Sequence, residues 1–485
     1  MLVSLDGSGA LARQLYRALR GAILGGVLPP GARLPSSRAL ASEVGVSRNT
    51  VLLAFAQLLD EGYVAGRQGS GTYVPAELPD AMTAVAPEAP RRASAPARPP
   101  RLSQAAQRIG SRELSWAPRP ARVPYDFRYG RPAFGDFPHS TWSRLLARRA
   151  RRVSDRDLDY GPAAGVPGLR EAIAAYLQRA RAVNATPEQV IIVNGSQQGL
   201  DLCARVLLDP GARVLLEEPH YPGARGVFVA AGAEIVTAPV GADGIDVDTL
   251  GAAARGVRLA YLTPSHQFPT GVLMSLARRL ALLRWAARAG AYVLEDDYDS
   301  EYRYVGRPVE SLQGLDRAGH VIYLGTFSKL LFPALRLGYL VVPEPLVQPF
   351  TNAKALADAG SATLEQLALA DFIRDGHFER HVRRSRARNA ARRAALLEAV
   401  GEHFAGRATA GAADAGIHVL LWLHDIAARH LRTHLTRAEQ LGVRAYSVAS
   451  CYMTPPRTAG LVLGYAGLGE KQIRDGIALL ARAFE

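Results

Sequence analysis

The sequence predicts an α/β protein in two folded parts: a small helical module with a β-hairpin wing over residues 1–75, and a large domain over residues 124–485 on a mixed, mostly parallel sheet. Three observations carry that expectation. From Val190 onward, apolar runs of strand length alternate with amphipathic helices, the pattern of a sheet covered by helices on both faces. Near the start, two short helical stretches meet at the tight turn Val44-Gly45-Val46, the spacing of a helix-turn-helix. Between the two parts, Ala, Pro and Arg dominate without apolar periodicity, so residues 76–123 read as a mobile or extended linker.

Bulk properties narrow the class. A chain of 485 residues has room for more than one domain, one of them of catalytic size. Hydrophobic residues make up 48%, and no uninterrupted apolar run is long enough to span a bilayer. The first twenty residues lack the apolar core of a secretory signal. Cys203 and Cys451 are the only cysteines, which argues against a disulfide framework or a zinc cluster and fits a reducing cytoplasm. A net charge of +14 suits a polyanionic partner, but residues 1–80 are close to charge balance. Any claim of nucleic-acid binding must therefore rest on the geometry of the helical module.

In that module Leu11, Leu15, Leu19, Ile23 and Leu24 lie at helical spacing, closed by Gly25-Gly26. Ser36 is placed to cap a helix over Ser37–Glu43, and Ser47 to cap one over Arg48–Glu61. The apolar stripe of the latter is Val51, Leu52, Phe55, Leu58 and Leu59, and its first turn is polar, as a helix that reads DNA requires. Two short alternating runs around residues 67–71 then form a hairpin with a basic tip, suited to a minor-groove or phosphate contact. Helix-turn-helix geometry also serves protein interaction, so pattern alone leaves that alternative open.

The large domain is organised around the stretch Tyr323–Tyr339. Among 58 basic residues only Lys329, Lys354 and Lys471 are lysines. A lysine kept between an apolar run and a Gly-rich bend points to chemistry that arginine cannot do, since a desolvated amine loses its proton and adds to an aldehyde. Ser328 and Arg336 nearby suit a phosphate-bearing aldehyde cofactor. Other strand ends agree. Asn194-Gly195-Ser196-Gln197 opens a helix whose N-terminal N–H groups suit phosphate. Glu217 to Pro222 offers Tyr221 as an aromatic cover for a flat ring. The run Glu295-Asp296-Asp297-Tyr298-Asp299 offers a carboxylate to a pyridine nitrogen, or alternatively a set of ligands for a divalent metal. Residues 358–485 mix a long Arg-rich helix with short strands and read as a smaller α+β lobe.

Two resemblances sharpen these readings. The run from Pro30 to Val74 resembles the winged helix-turn-helix of GntR-type bacterial repressors. That resemblance implies double-stranded promoter DNA as partner, touched by Ser36, Arg38, Ser47, Arg48, Asn49, Thr50, Arg67, Gly69 and Thr72. The ordered strand-end motifs, with Asp159-Tyr160-Gly161 and Gly165, resemble fold-type I pyridoxal 5′-phosphate (PLP) enzymes of the aspartate aminotransferase superfamily. This implies that Lys329 forms the Schiff base, Asp296 holds the pyridine nitrogen, Tyr298 meets the 3-hydroxyl and Tyr221 stacks on the ring. Ser196, Gln197, Thr326, Ser328 and Arg336 would hold the phosphate, joined by Tyr160 from a neighbouring subunit of a dimer with shared sites.

The chain departs from that superfamily twice. The Asn that usually precedes Pro-Thr-Gly and holds the ring hydroxyl is replaced by Phe268, with His266 and Gln267 nearby as candidate contacts. The Arg that clamps a substrate carboxylate, on a strand near the C-terminus, is replaced by Val462, and Arg444 and Arg457 lie near without fitting the motif.

Together the two parts resemble the MocR family of bacterial transcription regulators over nearly the whole chain. The resemblance implies a head-to-tail, domain-swapped homodimer that senses PLP, or PLP joined to an amine or amino-acid effector. The missing clamp favours a regulator with little turnover over a working aminotransferase carrying an accessory DNA-binding module. It also favours PLP itself as effector, as in members that control vitamin B6 synthesis, over a carboxylated amine.

Overall fold

A computed structural model describes residues 5–67, 71–78, 101–110, 123–306 and 310–485. They divide into two compact units, Met1–Arg101 and Leu102–Glu485.

In the first unit, α1 (Leu11–Leu24), α2 (Ser37–Val44) and α3 (Arg48–Asp60) precede a hairpin of β1 (Ala65–Arg67) and β2 (Gly71–Tyr73), antiparallel with Ala65 opposite Tyr73. Both helix starts follow the capping expectation. Ser36 accepts from the Ala39 N–H at 3.2 Å, and Ser47 from the Thr50 N–H at 3.1 Å. The turn between α2 and α3 closes through Gly45, whose φ of 72° lies in the left-handed region. Leu15, Leu19, Leu40, Val51 and Leu58 are fully enclosed, each contributing about 1.5–3 kcal/mol of burial. The stripe of α3 differs from expectation. Val51, Ala54, Phe55 and Leu58 are buried, whereas Leu52 and Leu59 are 44% and 43% exposed. The set i, i+3, i+4, i+7 selects the small Ala54 and turns those two leucines outward.

The second unit begins earlier than expected. Within the stretch read as linker, α4 (Gln104–Ile109) is capped by Ser103 and lies against α9 (Pro222–Ala231), with Arg108 Nε donating to Ala230 O at 3.2 Å. It buries no residue of its own, so it attaches to the domain without extending the core. Next, β3 (Tyr125–Asp126) pairs in parallel with β14 (Val443–Arg444) and ties the start of the domain to its last quarter.

Helices α5 (His139–Arg151), α6 (Asp155–Leu158) and α7 (Pro167–Arg181) lead into the main sheet. Its strands are β4 (Val190–Val193), β5 (Arg213–Glu218), β6 (Glu234–Gly241), β7 (Gly244–Ile245), β8 (Val257–Leu262), β9 (Tyr292–Asp297), β10 (Val321–Thr326) and β11 (Gly338–Val341). They lie in the order β4-β11-β10-β9-β8-β5-β6-β7. Pairings from β10 through β9, β8 and β5 to β6 are parallel, while β11 runs antiparallel to both neighbours. Helices α8 (Ser196–Leu207) and α10 (Leu276–Ala289) cross between strands, and the strand residues are buried through β4, β10 and β11, as a doubly covered sheet requires. The mostly parallel reading of the sequence therefore holds.

The remaining part contains α11 (Leu312–Leu315), α12 (Val347–Asp358), α13 (Thr363–Arg374) and the long α14 (His377–His403). It ends in a four-stranded sheet of β12 (Ala408–Ala410), β13 (His418–Ala427), β15 (Tyr446–Ser447) and β16 (Thr458–Gly464), packed with α15 (Leu431–Gln440) and α16 (Glu470–Ala483). No helix among the described residues is long and apolar enough to cross a membrane.

Candidate functional site

The carboxyl ends of β5, β8, β9 and β10 and the N-terminus of α8 converge on one cavity of about 710 Å³. Ligands gather there in open α/β sheets, because loops leave the strands on that side. Of the three lysines, only Lys329 lines it. Lys354 is buried against Asp358 at 2.6 Å, and Lys471 is exposed beside Asp475. Burial pushes the Lys329 amine below its ordinary pKa, and the Arg128 and Arg336 charges act in the same direction against the pull of Asp296 and Asp299.

Alternation along β9 sorts the acidic run. Asp296 faces the cavity and accepts from Tyr261 Oη at 2.7 Å through Oδ2, while its buried Oδ1 has no hydrogen-bond partner. Its neighbours point elsewhere. Glu295 accepts from the Leu312 and Gln313 N–H groups, both at 2.9 Å, and Asp297 accepts from Arg181 at 2.8 Å and Tyr323 at 2.6 Å. The run is thus divided between separate environments, which removes it as a joint metal-ligand set. Burial raises the Asp296 carboxyl to about 7 despite the Tyr261 hydrogen bond, so the site favours a cation at Oδ1.

Ser196, Gln197, Tyr221, Tyr298, Thr326, Ser328 and Arg336 all line the same cavity. Gly195 has φ 80°, and a Cβ there would lie 2.8 Å from the Arg336 guanidinium, so glycine lets that cation reach the N-terminus of α8. Arg336 itself is left-handed at φ 54° and donates to Asn194 O. Hydroxyls, a helix N-terminus and a guanidinium meet at this end, a donor set that fits a phosphate.

Two expected residues lie elsewhere. Tyr160 is 89% exposed and borders a separate shallow depression with Asp159 and Gln366, so it does not reach the cavity within one chain. His266 is not in the cavity lining. It sits behind Tyr298, with Nδ1 2.9 Å from Asp299 Oδ1 and 3.0 Å from Tyr298 Oη, and Tyr298 donates to the His266 carbonyl at 2.8 Å. The His266 Nδ1 is fastened between Asp299 and Tyr298 and braces the phenol, while the buried Nε2 has no hydrogen-bond partner. Phe268 does line the cavity, at the place of the usual Asn.

Sequence reasoning missed several lining residues: Arg128, Tyr129, Tyr261, Ile417, His418 and Tyr446. Tyr261 was legible in principle, since it shares the alternation of β8 with the buried Leu259. The others come from the segment that follows β3, from the start of β13 and the residue before it, and from β15, too short or too distant in sequence to betray a shared site. Val462 is fully buried beside Phe268, Leu420 and Cys451, and Arg444 is held by Glu439 at 2.9 Å.

In the first unit, Arg38, Arg48 and Asn49 are exposed at the start of α2 and α3. Arg48 Nε donates to Ser37 Oγ at 3.4 Å. The Ser47 and Thr50 hydroxyls are 2.8 Å apart, so part of their capacity is spent on the cap. Arg67 ends β1, Thr72 lies in β2 and hydrogen-bonds Leu34 through its carbonyl, and Gly69 lies outside the described residues. Arg33, which the sequence did not single out, packs over the Tyr73 ring at 6.0 Å beside the wing.

These features define a DNA-binding winged helix joined to a PLP-binding domain of aminotransferase fold. Family models agree: residues 11–74 match bacterial regulatory proteins of the gntR family, and residues 135–474 match aminotransferase class I and II. The chain is 41% identical to the "Probable rhizopine catabolism regulatory protein MocR" of Rhizobium meliloti, over 100% of this chain and 96% of that protein. It is 31% identical to the pyridoxine biosynthesis transcriptional regulator PdxR of Corynebacterium glutamicum, over 81% and 79% of the two chains. Among solved structures, LysN of Thermus thermophilus, an α-aminoadipate aminotransferase complexed with N-(5′-phosphopyridoxyl)-L-leucine, aligns at TM-score 0.68 and 32% identity over 74% of this chain and 91% of its own. The chain belongs to the MocR-type transcriptional regulators of the GntR superfamily.

Proposed function

We propose that PLP, alone or joined to an amine, sets the affinity of this regulator for promoter DNA. The observation that carries this reading is the buried, unpartnered Asp296 Oδ1 in a cavity shared with Lys329, within a chain that also presents a capped, polar-tipped helix α3. Lys329 would hold the cofactor aldehyde, Asp296 its ring nitrogen, Tyr221 its face and Tyr298 its ring hydroxyl. Ser196, Gln197, Thr326, Ser328 and Arg336 would hold its phosphate. When bound, the cofactor supplies an electrophilic carbon that an amine can join. Effector binding shifts DNA affinity only through unequal affinity for two arrangements of the protein.

The reading extends to assembly. The exposed Tyr160 would reach the phosphate site of a second copy in a head-to-tail homodimer, placing two winged helices on a repeated operator in the cytoplasm. On the DNA, Ser36, Arg38, Ser47, Arg48, Asn49, Thr50, Arg67, Gly69 and Thr72 would make the contacts. The test is a titration of the protein against DNA upstream of its own gene, without and with PLP. A PLP-dependent change in affinity or footprint supports the reading. Unchanged binding with PLP and with every PLP–amine pair refutes it.

A further inference from the structure

We propose that His266, Asp299 and His418 form a buried site for a divalent transition metal of the zinc type, behind Tyr298. The site belongs to the chain itself and does not depend on what fills the neighbouring cavity.

The three side chains converge from different parts of the domain. His266 follows β8, Asp299 follows β9, and His418 opens β13. All three are almost wholly enclosed, and one donor atom from each lies within 4.8 Å of the other two. Hydrogen bonds within the protein account for only part of their polar surface. His266 Nδ1 is 2.9 Å from Asp299 Oδ1 and carries the proton between them, since an ionised carboxylate only accepts. The ring's lone pair is therefore on Nε2, and both Nε2 and Asp299 Oδ2 are buried without a hydrogen-bond partner. His418 repeats the pattern. Its Nε2 donates to Pro269 O at 3.3 Å, which leaves the lone pair on Nδ1. Metal-binding imidazoles are held in this way, one nitrogen donating to a carboxylate or carbonyl and the other free for the ion.

Charge points the same way. Asp297 is neutralised by Arg181, whereas among the described residues Asp299 has His266 as its one ion-pair partner. An enclosed carboxylate with an idle oxygen favours a cation. Glycine keeps carbon away from the two idle atoms. A Cβ on Gly416 would lie 2.8 Å from Asp299 Oδ2, and one on Gly271 would lie 3.4 Å from His266 Nε2. Two imidazoles and one carboxylate suit zinc, cobalt or nickel better than magnesium or calcium. Bonds of about 2.0–2.2 Å require the donors to draw together, which small side-chain rotations supply. His418 also lines the cavity, which gives the ion an entry path. Once bound, the ion would fix His266 and, through it, the Tyr298 hydroxyl 3.0 Å from Nδ1.

The test uses the full chain, freed of cofactor and metal by dialysis against a chelator. Co²⁺ is added first and its visible d–d bands are followed, and Zn²⁺ is then added to displace it. About one ion per chain should bind. Loss of an outer-shell partner costs about 10–100-fold in metal affinity, so removal of a ligand should cost about 100-fold or more. Asp299→Asn and His418→Asn should each show that loss, while His430→Gln, at an exposed position, should bind as the wild type does. No stoichiometric binding by the wild type, or affinity kept in either site variant, overturns the assignment. X-ray absorption of the wild-type zinc form decides the case in which a variant does not fold. Two imidazoles with oxygen around the ion uphold the site, and a shell with sulfur or a single imidazole overturns it.

Discussion

Tyr261 donates its hydroxyl proton to Asp296 Oδ2 at 2.7 Å and thereby turns Oδ1, which has no partner, toward the cavity. The bond favours the ionised carboxylate against the burial that opposes it. Hydrogen bonds to charged groups contribute about 1.5–3 kcal/mol. Tyr261→Phe should therefore weaken PLP binding by about tenfold or more at neutral pH, with partial recovery at alkaline pH where Asp296 is ionised regardless. Fluorescence titration of PLP at two pH values checks this, and an unchanged affinity would show that the phenol does not support the carboxylate.

Asp296 also predicts how pH acts on stability. Its carboxyl is raised from 3.8 to about 7 in the folded protein, and Glu217, buried behind Thr263, moves from 4.5 to about 7. Between those values the folded chain holds protons that the unfolded chain has released. The contribution of these two carboxyls to stability without cofactor should thus fall as pH rises from about 4 to about 7 and level off above, against the opposite trend of His220, which burial lowers to about 4. A protonated ring nitrogen beside Asp296 favours its ionised form and removes that share of the loss. The rise in Tm produced by PLP should grow across this window, and Asp296→Asn should flatten the growth. Melting curves with and without PLP from about pH 5 to about pH 8 decide it.

Legibility followed the range of the signal. Lys329, Asp296, Tyr221 and Ser196 were readable because each sits where a buried strand ends, and a strand end is written in a few adjacent residues. The caps Ser36 and Ser47 were readable for the same reason. Arg128 and His418 were not, because the segment after β3 and the start of β13 are set in place through pairing with β14 and β16, far away in sequence. His266 was assigned to the ligand because its loop replaces the usual Asn, yet its partner Asp299 comes from another strand end and draws the ring behind Tyr298. Helix α4 was hidden by the composition around it, although Ser103 and Gly110 mark its ends.

The buried His266–Asp299 pair yields a third expectation. Both residues are almost wholly enclosed, and the ring is the brace for Tyr298. Asp299→Ala would take the carboxylate partner from His266 Nδ1, a loss of about 1.5–3 kcal/mol for a hydrogen bond to a charged group, and would loosen the ring that holds the phenol. A lower Tm together with an altered visible spectrum of bound PLP is expected. A lower Tm with an unaltered spectrum would reduce the pair to a packing role.

On the DNA side, Arg48 lies at the exposed first turn of α3. Arg48→Ala should weaken operator binding by about tenfold while PLP affinity stays at the wild-type value. If Arg48 meets phosphate, the salt dependence should fall by about one unit of slope. Binding assays at several salt concentrations read both quantities, and normal operator affinity in the variant would remove α3 from the groove.

Installing the missing clamp should fail, for a reason the packing makes plain. Val462 is fully buried among Phe268, Leu420, Val448 and Cys451, with Trp422 and Tyr452 alongside. An arginine there would place an ion in an apolar cluster and overfill it, and an unpaired buried charge costs several kcal/mol. Val462→Arg should therefore lower Tm by several degrees and should not improve binding of β-alanine. Had the site merely lost its arginine in an otherwise preserved pocket, the variant would bind anionic amines more tightly at unchanged stability. Paired melting curves and amine titrations distinguish the two, and tighter binding without destabilisation would show that β16 still offers a carboxylate site.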